Sequence, residues 1–168
     1  IALSAPGGRE VTLLDYGRSL CMWVSAFETL VHKGANERSG VCQVMEMLKA
    51  CPMGEPMREP RYYKNFAKNQ RSEKMTFVQS LYSRIYSLRN DFLHGNPMPF
   101  DKRLGGTGIL QLCEAAPTMY RFALLHVLET ELGDICGFNE EYDFFVRRQL
   151  EESLEILKPS RTIPPPHP

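Results

Sequence analysis

The sequence predicts an all-α fold, a single helical bundle of about five main helices. Three observations lead there. Apolar residues recur at threes, fours and sevens in successive windows along the chain. No segment sustains a period-two alternation bounded by turn residues. The 168 residues, 43% of them hydrophobic, suit one core of ordinary size, and no internal repeat divides them.

Residues 1–9, with Pro6, Gly7 and Gly8, read as a flexible lead-in. The helical domain spans 10–158. Its first helix begins at Glu10 and carries Leu13, Leu20, Trp23, Phe27 and Leu30, with Val24 and Val31 beside them, until Gly34 ends it. Gly17 weakens its first turns. A shorter helix covers Val41 to Ala50, where Val44, Met47 and Leu48 share a face. Cys51 to Pro60 holds three prolines and a glycine and reads as a loop. Residues 61–70 read as a short helix. A long one follows from Glu73 to Leu93, striped by Val78, Leu81, Ile85, Leu88 and Phe92. After a second loop, a helix runs from Ile109 to Leu132, and Pro117 inside it is expected to kink or split it. Gly133 and Gly137 precede a last helix, Glu140 to Leu157, which packs Phe144, Phe145, Leu150, Leu154 and Leu157. Residues 159–168 form a Pro-rich tail.

Composition narrows the function. Formal net charge is zero, so nucleic-acid binding must come from a local patch. No apolar run has the length of a membrane span, so no membrane partner is expected. The five cysteines contain no C-x-x-C pair. They read as reduced, mostly buried thiols of an intracellular, cytoplasmic protein. No histidine stands near Cys42 and Cys51 to complete a zinc set, so neither a metal nor a cofactor is expected. A chain that opens on Ile1 suggests a piece of something longer, with a neighbouring domain or inhibitor protein as a partner.

One stretch carries chemistry. The helix over 73–93 closes with Arg89-Asn90-Asp91-Phe92-Leu93-His94-Gly95. Arg and His at this spacing also occur as Arg121/His126 and Arg161/His167. The first of those encloses Phe-Ala-Leu-Leu in mid-helix, which is core filler. The second lies in the tail, without a scaffold. Only Arg89 to His94 sets polar groups beside the Arg at a helix end. The plain alternative is a polar helix terminus, where Arg89 pairs with Asp91 or Glu28 and His94 sits where a cation is welcome.

The stretch resembles the HEPN superfamily, whose signature is an Arg, a short spacer with a polar residue first, and a His. Arg89, Asn90 and His94 match it. The Apea-like branch is closer, with a tyrosine-bearing helix running into R-N/S-x-x-x-H-G; Tyr82 and Arg89 to Gly95 stand in those places. The aromatic-rich Trp23–Leu30 and Met119–Leu128 are similar in pattern. The resemblance implies a bundle that forms a homodimer. In many members it implies a metal-independent endoribonuclease, in which the ribose 2′-hydroxyl attacks the adjacent phosphate and leaves a cyclic phosphate and a 5′-hydroxyl. Several relatives are toxins or anti-phage defence effectors. Others keep the fold and lack activity, acting as dimerisation or nucleotide- and RNA-binding modules.

The residue types suit this chemistry by themselves. His94 can take the 2′-hydroxyl proton or give one to the leaving oxygen. Arg89 offers a permanently charged fork to the phosphorane. Asn90 can hold the phosphate, the ribose or the His tautomer. Tyr82, seven residues before Arg89 on the same face, and Asp91 are expected to support them. Arg89 and His94 stand roughly 140° apart on an ideal helix. Bringing them together needs the helix to end at His94, through Gly95, or a two-fold axis that sets the helix against its twin.

For RNA binding, Arg58, Arg61, Lys64, Lys68, Arg71 and Lys74 recur at threes and fours as a helical stripe interleaved with Tyr62, Tyr63 and Phe66. Arg61, Lys64, Lys68 and Arg71 are the RNA-binding candidates, against the alternative of a solvated face. Glu129 to Glu155 is strongly acidic and would repel RNA. No G-x-S-x-G elbow, P-loop or G-x-G-x-x-G is present. Gly105–Leu110 reads as a loop and helix start rather than a phosphate cradle.

Overall fold

The computed structural model describes residues 12–32, 34, 40–51, 59–68, 70–98 and 108–132, together with Arg148 and Glu152. The lead-in, the tail and, those two residues apart, the helix expected over 140–157 lie outside the described residues. Four α-helices and one two-stranded antiparallel sheet are described: α1 (Leu13–Leu30), α2 (Val41–Ala50), β1 (Arg61–Asn65), β2 (Arg71–Met75), α3 (Phe77–Leu93) and α4 (Ile109–Leu132). Among the described residues the molecule is therefore mostly helical with one small sheet, roughly compatible with the expected all-α class.

Each helix start has a local cause. Thr12 accepts a hydrogen bond from Asp15 N–H (3.3 Å) and Asp15 accepts one from Thr12 N–H (2.9 Å), a reciprocal cap that fixes the start of α1. Thr76 and Gln79 do the same for α3. This cap is why α3 begins at Phe77 rather than at Glu73. Gly40 donates to the Gln43 side chain before α2 (2.6 Å), and Gly108 donates to Gln111 before α4 (2.8 Å). The glycine-rich approach to α4 thus spends its last amide on an internal cap. Pro117 does not split α4, which is continuous from Ile109 to Leu132. Buried Ala115, Ala116 and Met119 hold it to the core through that turn.

The element at 61–75 differs most from expectation. It is a hairpin with the register Arg61↔Met75, Tyr62↔Lys74, Tyr63↔Glu73, Lys64↔Ser72 and Asn65↔Arg71. A single 3-10 turn, Phe66–Lys68, and Gln70 at φ 57° close it. Tyr62 and Tyr63 favour the pleated strand, and Pro60 cannot donate in its ladder. Tyr63 and Asn65 turn inward, while Lys64 is exposed. Ser83 latches the hairpin to α3: its hydroxyl accepts from Phe66 N–H (3.3 Å) and donates to Ser80 C=O (2.8 Å).

The core sits around α3. Leu81, Tyr82 and Ile85 meet Leu20, Val24 and Phe27 of α1, Val44 and Leu48 of α2, and Leu112, Met119 and Phe122 of α4. Burial of each large side chain contributes about 1.5–3 kcal/mol. Gln79 ties α2 to α3 by donating to Met45 C=O (2.8 Å). The Phe27 ring meets Tyr82 at 5.2 Å, whereas Gly17 meets Phe92, so α1 and α3 run antiparallel. Tyr120 meets Trp23 and Phe27, and Cys113 lies beside Ser19, so α4 runs parallel to α1. The start of α1, the end of α3 and the start of α4 therefore share one end of the bundle.

Candidate functional site

The end of α3 is built by a main-chain lock. His94 caps the helix, and its N–H donates to Asn90 C=O (2.9 Å). Gly95 takes φ 68°, the left-handed region that a side chain disfavours. Its N–H donates to Phe92 C=O (3.2 Å), and Asn96 N–H reaches back to Asp91 C=O (2.8 Å). These two bonds make a Schellman motif. Asp91 adds to it, accepting from the Asn96 side chain at 3.1 Å. The imidazole of His94 is thus carried on an exposed helix end whose backbone is fixed independently of the ring.

Arg89 is half-buried one and a half turns earlier. Its guanidinium lies over the Tyr86 ring (5.9 Å to the centroid) and donates from Nη1 to the Asn90 side-chain oxygen at 2.9 Å. Its buried Nε has no hydrogen-bond partner. No carboxylate among the described residues pairs with Arg89. Residues two apart do not face each other on a helix, and Asp91 is turned to Asn96. The Arg89–Asp91 and Arg89–Glu28 ion pairs of the plain alternative do not form.

Tyr82 belongs to the core. It is fully buried between Phe27 and Tyr86, and its hydroxyl has no hydrogen-bond partner. Burial above all, then the nearby Glu28 and Tyr86, push its phenol well above the usual range, with Arg89 opposing them. The hydroxyl therefore stays protonated at any ordinary pH.

Phe92 is the link that sequence reasoning missed. A methyl group added at Gly17 would overlap its ring, so Phe92 packs directly on the α1 backbone at the turn that carries Arg89 and His94. A glycine seven residues before Val24 on the inward stripe was the available signal.

The chain matches no family model, no curated protein and no solved structure. The site is therefore judged on its own residues. Arg89, Asn90 and His94 are brought to one helix end, and Asn90 joins the other two, by its side chain to Arg89 and by its carbonyl to His94. Neither of the two best-formed described grooves includes them. The larger, of about 860 Å³, lies among α1, α2 and α4 and is lined by Leu30, Met47 and Val127. The smaller, of about 210 Å³, lies between α2 and the hairpin.

The RNA-binding candidates separate. Arg61 pairs with Glu59 (2.8 Å), and Lys68 lies 3.8 Å from Glu73. Lys64 and Arg71 have no carboxylate partner among the described residues, and the register puts them on opposite faces of the hairpin. The expected helical stripe does not exist, because strand pairing replaces the helix that would have aligned it; Arg58 lies outside the described residues. Of the cysteines, only Cys51 is buried; Cys21 and Cys113 are half-buried, Cys42 is exposed, and Cys136 lies outside the described residues. Among the described residues no three metal-ligating side chains are grouped, and no helix is long and apolar enough to cross a membrane.

Proposed function

We propose that the end of α3 is the active site of a HEPN-type, metal-independent endoribonuclease that works as a homodimer. Arg89 meets the scissile phosphate. His94 takes the proton from the 2′-hydroxyl or delivers one to the departing 5′-oxygen, so that the new bond is 2′-oxygen to phosphorus and the broken one is phosphorus to 5′-oxygen. Asn90 has its amide oxygen on Arg89, which leaves its NH₂ for the phosphate or ribose. Tyr82 and Tyr86 support Arg89 from the core side. The observation that carries the reading is an arginine without a carboxylate partner among the described residues, one and a half turns before an exposed histidine on a main-chain-locked helix end.

Exposed Leu13, Leu14, Leu93 and Leu110 gather at the same end of the bundle. They support a second copy as the partner there, with both helix ends lining one cleft. A toxin or defence effector fits this chemistry. So does a neighbouring domain or an inhibitor protein that restrains it. The mutual bond between Arg89 and Asn90, outside either groove, favours a second reading: a non-catalytic dimerisation or RNA-binding module. Cleavage of RNA in EDTA, compared between the unmodified protein and Arg89→Ala/His94→Ala, separates the two. The nuclease reading expects cyclic-phosphate ends from the unmodified protein alone. Equal cleavage by both proteins, or none from a folded dimer, rejects it.

A further inference from the structure

Part of the hairpin's positive charge has no carboxylate partner among the described residues. The hairpin's one acid, Glu73, is engaged by the Asn65 amide (2.8 Å) and by Lys68, and Glu59 just before the hairpin is engaged by Arg61. Lys64, Arg71 and Lys74 are all exposed and have no carboxylate partner among the described residues. Cross-strand partners share a face, so Tyr62 with Lys74 and Lys64 with Ser72 form the outward side, on which the two lysines are exposed and the Ser72 hydroxyl is buried, while Tyr63, Asn65 and Glu73 form the inward one. Lys64 and Lys74 are diagonal neighbours on that outward side, with half-buried Tyr62 beside them. Two like charges so placed repel each other, and the zero net charge of the whole chain sets this concentration apart.

We infer that the outward face of the hairpin, Tyr62 with Lys64 and Lys74, is a docking surface for single-stranded nucleic acid. The lysines take backbone phosphates and the Tyr62 ring stacks on a base, the combination that binds single strands without reading sequence. Arg71 at the tip lies on the other face of the ribbon and is not part of this surface. An acidic peptide would satisfy the lysines but would leave the aromatic face between them unused. The Ser83 latch fixes this surface to α3, and Ser83 stands about 16 Å along the helix from His94. The inference rests on the nuclease reading only in taking the docked strand to be the one that is cut.

The test is equilibrium binding of a fluorescent oligouridylate to the full chain carrying His94→Ala, in EDTA, over a range of salt. A single-strand phosphate contact contributes about 0.7 to the slope of log K against log salt. Lys64→Gln/Lys74→Gln should therefore lower the slope by about 1.4 and weaken binding about 25-fold near 0.1 M salt. Tyr62→Ser should weaken binding without changing the slope. Arg121→Gln, on the exposed face of α4, should do neither. Oligodeoxythymidylate should compete almost as well as RNA. Unchanged affinity and slope in the lysine variant, no binding by the parent at low salt, or displacement by polyglutamate as readily as by RNA would overturn the inference. Lysine-dependent binding without cleavage by the unmodified protein would keep the docking surface and reject the nuclease. Cleavage with hairpin-independent binding would do the reverse.

Discussion

Replacing Gly17 by Ala tests the geometry that holds the candidate site. The added methyl overlaps the Phe92 ring, and Phe92 lies between Arg89 and His94 on the same helix. Two effects oppose each other. Alanine in a helix interior is favoured over glycine by about 1 kcal/mol, while overpacking costs about 1–3 kcal/mol. The single variant should therefore range from nearly neutral to about 2 kcal/mol less stable, a poor measure alone. A double-mutant cycle isolates the clash. With Phe92→Ala in place the ring is gone, so Gly17→Ala should now stabilise by about 1 kcal/mol. The coupling between the two changes is then the overpacking term, about 1–3 kcal/mol, or roughly 2–12 °C between the melting shifts of a chain this size. Thermal melts of the four proteins by circular dichroism would measure it. On the nuclease reading, RNA cleavage by Gly17→Ala alone should fall by up to ~100-fold, because a displaced Phe92 shifts the turn that carries Arg89 and His94. Equal melting shifts from Gly17→Ala in both backgrounds would show that the two helices do not meet there, and the argument would fail.

Two further outcomes are expected. Ser83→Ala removes the acceptor for Phe66 N–H and should lower stability by about 1–3 kcal/mol, with amide exchange rising in residues 61–75 more than in α1; uniform exchange would refute the latch. Tyr82 should make the protein sensitive to alkali. Its folded pKa is raised, so the protonated phenol supports the fold fully below the unfolded value near 10, and that support is lost as pH rises above it. Tyr82→Phe should melt at or slightly above the unmodified protein at pH 7 and increasingly above it by pH 11, and a gap that does not widen would contradict the burial of the hydroxyl.

The elements that were legible in the sequence are those whose burial follows a single helical period. Val44 and Leu48 bounded α2 correctly, and Ile109, Leu112 and Met119 carried α4 through Pro117 because its apolar side faces the core throughout. The hairpin was not legible, for a physical reason. Cations at 61, 64, 68, 71 and 74 imitate a helical stripe, and five-residue strands are too short to establish alternation against it. Among the described residues its left-handed one is Gln70, whereas turn chemistry favours the Asn69 before it. The helix end that carries Arg89, Asn90, His94 and Gly95 could be read from the chain because it is local. The partnership of Asp91 with Asn96 and the contact of Gly17 with Phe92 could not. Both depend on which way a side chain turns once the helices have packed.

The lock at Gly95 has a consequence for how such a site changes over generations. Every bond that fixes the turn at His94 is made by the main chain or by Asp91 and Asn96. Among the described residues the exposed imidazole itself makes no hydrogen bond or ion pair. On the nuclease reading, a single codon change at position 94 would therefore switch cleavage off, or restore it, without a folding barrier in either direction. A lineage carrying this scaffold could drift between a working and a silent form while its neighbours in the cell continue to meet the same surface.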